Sequence, residues 1–413
     1  MKGLIISVFL IITLGLFSAE PLKIGVITDT HYLSEKLMDD GYAVQDYILS
    51  SGRNIKDVPA VLDQVLDKYL NSDIEILLIC GDLTKDGEKQ SHIDFAEKLK
   101  PLKDKGVNVF VIPGNHDINM PTSVEFKGNK KLPVDNISTT EFENIYADYG
   151  FNKAIERDTA SLSYVVPLDS HTWLLAIDAA RYNEYKTSSI TAGRIKPETE
   201  KWIVEVLDNA RQKNIQVVGM MHWGLAEHIM YQSVFFKDYL VNDWVRLADL
   251  FADKGMKAIF TGHFHSNDIT RHVSQAGNKI YDIETGTLSG YPYAYRFVDL
   301  YADGMTIKTE NVISVPSNPN MAVEDKHRIQ ALSQRMAKNK LQGLGYDMPA
   351  DILDQMADVM SRIFVLHLFG DEVADERLKT SIGKLAKIMD SPIDIEEIQL
   401  DFEPADNNVQ ITF

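Results

Sequence analysis

Short apolar runs rich in β-branched residues recur along residues 21–314, and polar residues or glycine follow them. Runs of this length, bounded by turn-forming residues, predict buried β-strands. The principal predicted strands are residues 22–28, 74–80, 107–112, 217–221 and 258–261.

Amphipathic stretches with apolar residues at helical spacing separate these strands, at residues 58–70, 88–102 and 196–213. Further strands are predicted at residues 163–167, 171–177, 279–284, 294–300 and 305–309. Alternation of this kind predicts an α/β fold with at least one mixed sheet.

The pattern becomes helical after the Ser-Val-Pro-Ser-Asn-Pro segment at residues 314–319. We therefore expect a domain at residues 20–315 and a mainly helical C-terminal domain at residues 316–413. Residues 118–160 are weakly patterned and follow a candidate site segment directly. Two interpretations stay open for them. They form a rim or lid that contacts substrate, or they are a surface insertion without a role in binding.

The first residues differ from the rest, because Lys2 precedes a nearly unbroken apolar run at residues 4–17. This length is typical of a signal-peptide core and is short for a membrane span. Residues 1–19 are thus predicted to be a signal peptide or an uncleaved N-terminal anchor. The protein is expected to be secreted, periplasmic or at the cell surface, with membrane contact only through this segment.

Composition and charge reduce the range of possible functions. The formal net charge of −18 disfavours a general nucleic-acid binder, because phosphate backbones attract basic surfaces. The single cysteine, Cys80, rules out an intrachain disulfide. Oligomeric state is left open.

Two segments place metal-ligand side chains two positions apart, Asp29-Thr-His31 and His263-Phe-His265. In an extended segment alternate side chains point the same way, so each pair could face one ion. Gly262 precedes the second pair and permits a close approach of the backbone.

Three more segments follow predicted strands: Gly81-Asp82, Asn115-His116 and His222. Sites in open α/β sheets form at the carboxyl ends of strands, so all five segments can converge. Imidazole and carboxylate ligands suit Mn, Fe or Zn, and the absence of thiolate ligands disfavours a structural zinc site.

The order of these segments resembles that of the calcineurin-like metallophosphoesterase superfamily over most of residues 22–313. The resemblance implies a four-layer α/β/β/α sandwich of two mixed sheets with a binuclear site at one edge. It also implies two divalent or trivalent ions bridged by Asp82. One ion would be bound by Asp29, His31, Asp82 and His265, and the other by Asp82, Asn115, His222 and His263.

The resemblance further implies phosphoester hydrolysis by a hydroxide formed between the two ions. His116 would act as the general acid that protonates the departing oxygen. Asp117 either orients His116 or is a turn residue. The remaining histidines, including His92, His228 and His367, are assigned no role.

The segment from Gly81 to Glu88 resembles the cyclic-nucleotide phosphodiesterase branch, and parts of residues 140–164 resemble its secreted bacterial members. Purple acid phosphatases have a tyrosine three positions after the bridging Asp, where this chain has Lys85, so that type is disfavoured. The lead expectation is a phosphodiesterase acting on a small phosphate ester, with 3′,5′-cyclic nucleotides among the candidates. The alternatives are a phosphomonoesterase, a diesterase of lipid or cell-wall phosphates, and a non-catalytic binding module.

Overall fold

The computed structural model of the chain describes residues 20–343, 348–388 and 400–413. The predicted signal segment at residues 1–19 and most of a possible strand at residues 393–400 lie outside these ranges. In the ranges that are described, no helix combines the length and apolar character that crossing a bilayer requires.

The strands of the described residues are short, as their apolar runs predict. They are Leu22–Ile27 (β1), Ile76–Ile79 (β2), Asn108–Val111 (β3), Val124–Lys127 (β4), Lys130–Pro133 (β5), Glu156–Arg157 (β6), Tyr164–Pro167 (β7), Thr172–Ile177 (β8), Gln216–Met221 (β9), Met256–Thr261 (β10), Asp268–Val273 (β11), Lys279–Glu284 (β12), Ala294–Tyr301 (β13), Gly304–Asn311 (β14) and Asn408–Thr412 (β15).

The helices alternate with these strands in the first part of the chain and then follow one another. They are Tyr42–Ser51 (α1), Val58–Leu70 (α2), Lys89–Lys105 (α3), Thr139–Ile145 (α4), Pro197–Gln212 (α5), Gln232–Phe235 (α6), Trp244–Asp253 (α7), Met321–Gly343 (α8), Ala350–Phe369 (α9) and Glu376–Ile388 (α10).

Two large mixed sheets form the core, which confirms the predicted α/β fold class. The first sheet has the order β15-β14-β13-β1-β2-β3, and the second has the order β11-β12-β10-β9-β8-β7-β6. Strands β1, β2 and β3 are parallel, as are β8, β9, β10 and β12. Apolar side chains of both sheets join one contiguous buried cluster, against which α2, α3, α5 and α7 pack.

The insertion at residues 118–160 contains the β4–β5 hairpin and α4, which begins with a capping box between Ser138 and Glu141. The hairpin packs beside α1, where Phe126 joins a small buried cluster with Val44. Ser123 donates a hydrogen bond to the carbonyl of Asp86 at 2.5 Å, so the insertion supports a loop near the predicted site.

The C-terminal region contains the expected helices, and α9 packs against both α8 and α10. Its last strand, β15, then pairs antiparallel with β14 at the edge of the first sheet. Strand β15 therefore forms one edge of the first sheet. The domain boundaries themselves stay predictions.

Candidate metal centre

The predicted site segments all lie just beyond the carboxyl ends of five parallel strands, β1, β2, β3, β9 and β10. Strands of the two sheets thus deliver their following loops to one place. The structure brings together Asp29, His31, Asp82, Asn115, His116, His222, His263 and His265.

Asp29, His31 and His265 form the first group of possible ligands. His265 Nε2 lies 3.2 Å from Asp29 Oδ1 and 3.3 Å from His31 Nε2. His31 and Asp29 are fully buried, so this group faces inward rather than toward bulk water.

Asp82, His222 and His263 form the second group. His222 Nε2 lies 3.2 Å from Asp82 Oδ2 and 3.1 Å from His263 Nδ1. The same Asp82 oxygen lies 3.6 Å from His31 Nε2, so it stands between the two groups. This position suits a carboxylate shared by two ions.

Buried oxygens without partners test whether cations fit here. Among the described residues, Asp29 Oδ1 and Asn115 Oδ1 are buried and accept no hydrogen bond. Such atoms are costly unless something satisfies them, and a cation coordinated by these oxygens and the facing imidazoles would do so. The donor set of carboxylate, amide and imidazole fits the two-ion site that the sequence predicts.

The backbone of the candidate ligands is not extended, although an extended backbone was expected for the segments Asp29-Thr-His31 and His263-Phe-His265. Asp29, His31, Asp82, His263 and His265 all have positive φ angles, between 39° and 74°. Left-handed backbone at non-glycine residues is costly and collects at functional sites. The side chains of each pair converge because the chain turns sharply, and not because a strand continues.

Two glycines are required by close approach at this site. A Cβ on Gly262 would lie 2.1 Å from Thr28 Oγ1, and one on Gly114 would lie 2.2 Å from Asp82 Oδ1. These distances are impossible for real atoms, so any larger residue would displace a candidate ligand.

Hydrogen bonds to the far side of the ligands fix their orientation. His222 Nδ1 donates to the carbonyl of Cys80 at 2.8 Å, which leaves Nε2 to face the site. Asp29 Oδ2 accepts from the backbone N–H of His263 at 2.9 Å, which leaves Oδ1 free.

Burial and the neighbouring carboxylates set the charges of the histidines. Burial lowers the pKa of His263 to about 3, aided by the charge of His222. Burial also opposes the charge of His222, but Asp82 and Asp29 outweigh it and raise its pKa to about 9. A cation bound there would replace a proton on His222.

His116 stands beside these groups, and its ring centroid is 5.0 Å from that of His31. Its Nδ1 donates to Asp86 Oδ1 at 2.7 Å, and Arg53 Nη2 lies 3.4 Å from its Nε2. Its backbone N–H donates to Asp82 Oδ1 at 2.8 Å. The side chain is 16% exposed, so a ligand can reach part of the ring.

Asp86, and not Asp117, orients His116. The carboxylate of Asp117 accepts from the backbone N–H groups of Gly114 and Thr84, at 2.8 and 3.0 Å. Of the two roles left open for Asp117, the structure therefore supports that of a turn residue. Asp117 fastens the His116 loop to the Asp82 loop.

Asp86 is in turn held by Lys85, a side chain with only 2% exposure that also pairs with Glu88. Burial raises the pKa of Asp86, but the hydrogen bond from His116 and the charge of Lys85 outweigh it and lower that pKa. Asp86 is therefore held as a carboxylate that accepts the hydrogen bond of His116 Nδ1.

Sequence reasoning missed both Arg53 and Asp86 as site residues. Asp86 lies within the segment from Gly81 to Glu88, so its nearness to Asp82 was a usable signal. Arg53 follows Gly52, the left-handed residue that ends α1, and no motif surrounds it.

Three histidines without a predicted role are fully buried. His92 hydrogen-bonds Tyr146 and the carbonyl of Asp117, at 2.9 and 2.8 Å, beneath the His116 loop. His228 and His367 both approach Asp268, at 2.8 and 3.4 Å, in a second polar cluster away from the predicted site.

Comparisons with known proteins bear on the family and the fold of this chain. The family profile described as calcineurin-like phosphoesterase matches residues 22–267, which is more than half of the chain. A search of curated proteins found no match.

Solved structures with a similar fold share little sequence with this chain. A dimetal phosphatase from Danio rerio matches with a TM-score of 0.51 and 14% identity, over 71% of this chain and 97% of that chain. A purple acid phosphatase from yellow lupin seeds matches with a TM-score of 0.43 and 14% identity, over 70% of this chain and 51% of that chain. At such identities the similarity concerns the fold alone. The argument for the fold rests on the first structure, the dimetal phosphatase.

Proposed function

This chain belongs to the calcineurin-like phosphoesterase family, and we propose that it hydrolyses phosphodiesters with His116 as the proton donor. The observation that carries the proposal is the position of His116. It lies beside two groups of possible metal ligands, is held by Asp86, and has a ring that a ligand can reach in part.

When bound, the two ions would acidify a water and offset the negative charge that develops on the phosphoryl oxygens. Asp82 would be shared between them, with Asp29, His31 and His265 on one side. Asn115, His222 and His263 would complete the other side. Metal analysis would identify the two ions as Mn, Fe or Zn, since ligands of these types accept each of these metals.

His116 holds the proton that the leaving oxygen needs. An alkoxide leaves poorly unless it is protonated, and a positioned imidazolium speeds such steps by roughly 10²–10⁴-fold. The hydrogen bond to Asp86 directs Nε2 away from Asp86 and toward Arg53 and the ligand groups.

Arg53 supports the choice of a diester. Among the described residues, it is the cationic side chain that contacts His116, and it is aimed at the same space. A guanidinium can donate two parallel hydrogen bonds to the non-bridging oxygens of a phosphate group, and its single positive charge matches the single negative charge of a diester. Tyr239 and Tyr185 lie at the rim, next to His263 and Asn115 respectively.

We infer 3′,5′-cyclic nucleotides as the first substrates to test, on the resemblance of the segment from Gly81 to Glu88 to that branch of the superfamily. Such a substrate contains a secondary or primary alkoxide as leaving group, which gives the proton on His116 a function.

The test compares hydrolysis of bis(p-nitrophenyl) phosphate and p-nitrophenyl phosphate by the purified protein with Mn²⁺ and with chelator, followed by a panel of cyclic nucleotides. We expect Mn²⁺-dependent cleavage with the higher kcat/KM on diesters. His327→Ala, on an exposed face of α8, is the control for His116→Ala.

Other outcomes select the alternatives. Cleavage of the monoester alone would identify a phosphomonoesterase. Cleavage of aryl diesters without any cyclic nucleotide would point to lipid or cell-wall phosphates. Binding of both metals without any hydrolysis would identify a binding module and end the proposal.

We also propose that the protein is exported by residues 1–19 and meets its small phosphate ester outside the cytosol. The support is the apolar run at residues 4–17 after Lys2. Mass spectrometry of the protein from an exporting host should find an N-terminus near residue 20. An intact N-terminus in the cytosolic fraction would contradict export.

A further inference from the structure

A second buried cluster of carboxylates lies where the C-terminal region meets the second sheet. Asp268 begins β11, Glu372 lies between α9 and α10, and Asp401 and Asp406 precede β15. One carboxylate oxygen from each of these four residues lies within 4.8 Å of the others. Asp268 and Asp406 are fully buried, and Glu372 is 6% exposed.

Three oxygens of this cluster have no hydrogen-bond partner among the described residues, although each is buried. They are Asp268 Oδ2, Glu372 Oε2 and Asp401 Oδ1. Buried carboxylate oxygens are nearly always paired or bound to a metal, because leaving them without a partner is energetically costly. Three bare oxygens in one cluster indicate a missing partner.

The nearby cationic groups form their hydrogen bonds with other oxygens, although His367 Nδ1 also lies 3.4 Å from Asp268 Oδ2. His367 Nδ1 donates to Glu372 Oε1 at 2.6 Å, and His228 Nδ1 donates to Asp268 Oδ1 at 2.8 Å. The guanidinium of Arg296 donates to the backbone carbonyls of Asp406 and Glu284, both at 2.6 Å.

Negative charge is in excess here. Burial and the neighbouring carboxylates raise the pKa of Asp401 to about 7 and that of Asp406 to about 9. In both cases burial and like charge outweigh the positive charge that His367 and Arg296 bring near these carboxylates. Three cationic side chains face seven carboxylates: Asp268, Asp282, Glu284, Asp371, Glu372, Asp401 and Asp406.

We propose that Asp268, Glu372, Asp401 and Asp406 bind one divalent cation, Ca²⁺, that joins the C-terminal region to the metal-centre loop. Four carboxylates offer only hard oxygen ligands, and a carboxylate can bind Ca²⁺ through one or both oxygens in flexible geometry. Zinc is disfavoured, because the near nitrogen of His367 is engaged with Glu372.

The position of the cluster gives the cation a structural role. Asp268 follows His265 by three residues, and Asn267 N–H donates to the carbonyl of Leu368 in α9 at 3.3 Å. Ile269 N–H donates to Asp406 Oδ1 at 2.8 Å. An ion here would hold the base of the loop that carries His263 and His265. The inference does not depend on phosphoester hydrolysis.

The test uses the full chain with the metal centre loaded by two equivalents of Mn²⁺, titrated with CaCl₂ in a calorimeter. We expect one further equivalent of Ca²⁺ per chain, and a rise of about 5 °C in the unfolding midpoint at saturating Ca²⁺. Glu372→Gln should weaken Ca²⁺ binding at least tenfold and abolish that rise.

Glu376→Gln is the matched control, because it makes the same chemical change on a side chain that is 91% exposed. It should bind Ca²⁺ like the wild type. If Glu372→Gln does not fold, Asp401→Asn repeats the test at a partly exposed ligand.

No uptake of Ca²⁺ by the Mn²⁺-loaded wild type would overturn the proposal. So would wild-type Ca²⁺ affinity in the variant of Glu372 or, if that variant fails, of Asp401. A raised unfolding midpoint of Glu372→Gln without Ca²⁺, together with no Ca²⁺ uptake, would show that the cluster shares protons instead.

Discussion

Two buried polar clusters lie on either side of the loop at residues 262–267, and only one could be recognised in the sequence. The candidate metal centre draws its possible ligands from loops that follow five parallel strands. The carboxylate cluster around Asp268 takes one residue from a strand start, one from the loop between α9 and α10, and two from the loop before β15. Both contain buried carboxylates and imidazoles without enough partners.

The difference lies in how the sequence encodes each cluster. The metal centre has short spacings, such as Asp29-Thr-His31, placed directly after apolar runs. Convergence then follows from sheet geometry, because parallel strands end at the same edge. Asp268 and Asp406 are brought together only by tertiary packing, and nothing local marks either one.

The largest effect is expected at the carboxylate that stands between the two ligand groups. Asp82→Asn should remove or weaken both ions and lower kcat/KM by roughly 10³-fold or more, the scale seen when a group that stabilises transition-state charge is lost. Metal content by mass spectrometry and diester hydrolysis measure it. Glu372→Gln is the comparison, and should keep both ions of the metal centre.

If the Asp82→Asn variant binds two ions with wild-type affinity, the proposal that Asp82 is shared between the two ions is wrong. Loss of the same two ions in Glu372→Gln would show that the two clusters are one cooperative unit rather than two sites.

His116→Ala should lower turnover of an alkyl phosphodiester by roughly 10²-fold or more while both ions remain, because the side chain supplies a proton. The loss should be much smaller on bis(p-nitrophenyl) phosphate, since p-nitrophenolate leaves without protonation. An equal loss on both substrates would mean that His116 binds substrate or metal instead of acting as an acid.

Much of the fold follows from periodicity, which predicts α2 and β12 with the bounds observed. The sequence does not predict β11 and β15 in the same way. Strand β11 alternates toward solvent with polar residues such as Arg271, and β15 pairs with a partner about a hundred residues earlier. Edge strands depend on their neighbours more than on their own composition.

In the candidate site, too, local sequence patterns could be predicted and tertiary contacts could not. Each candidate ligand that follows a strand was predicted from its segment. Arg53 was not, since it reaches His116 from the end of α1 by tertiary packing alone. The left-handed backbone at Asp29 and His263 also lies beyond periodicity, because the loop geometry is imposed by the packing around it.

Asp86→Asn should have an intermediate effect, about tenfold on kcat with alkyl diesters, because the amide oxygen still accepts the hydrogen bond of His116 Nδ1 but lacks the charge that strengthens it and fixes the ring. As with His116→Ala, the loss should be greater for poor leaving groups than for p-nitrophenolate. Asp94→Asn, on the outer side of α3, is the control. An Asp86→Asn enzyme with wild-type kcat on both substrates would remove Asp86 from the proton-donor assembly.

The smallest effect should come from the residue that joins the two clusters. Phe264 lies between the candidate ligands His263 and His265. Its ring packs against Phe364 and His367 of α9, with centroids 6.0 and 5.5 Å apart. Phe264→Leu keeps an apolar side chain but loses these ring contacts. Residues that support metal ligands typically change affinity by 10–100-fold when removed, so this partial change should cost about threefold to tenfold in Mn²⁺ affinity.

Phe251→Leu is the control, since Phe251 is equally apolar and fully buried but lies in α7, against the second sheet. It should lower the unfolding temperature without changing Mn²⁺ affinity. If Phe264→Leu also changes only the unfolding temperature, then α9 merely covers the metal-centre loop, and the two clusters act independently. If Mn²⁺ affinity falls in Phe264→Leu alone, the C-terminal helices hold the ligand geometry, and that contribution could not have been predicted from the motif.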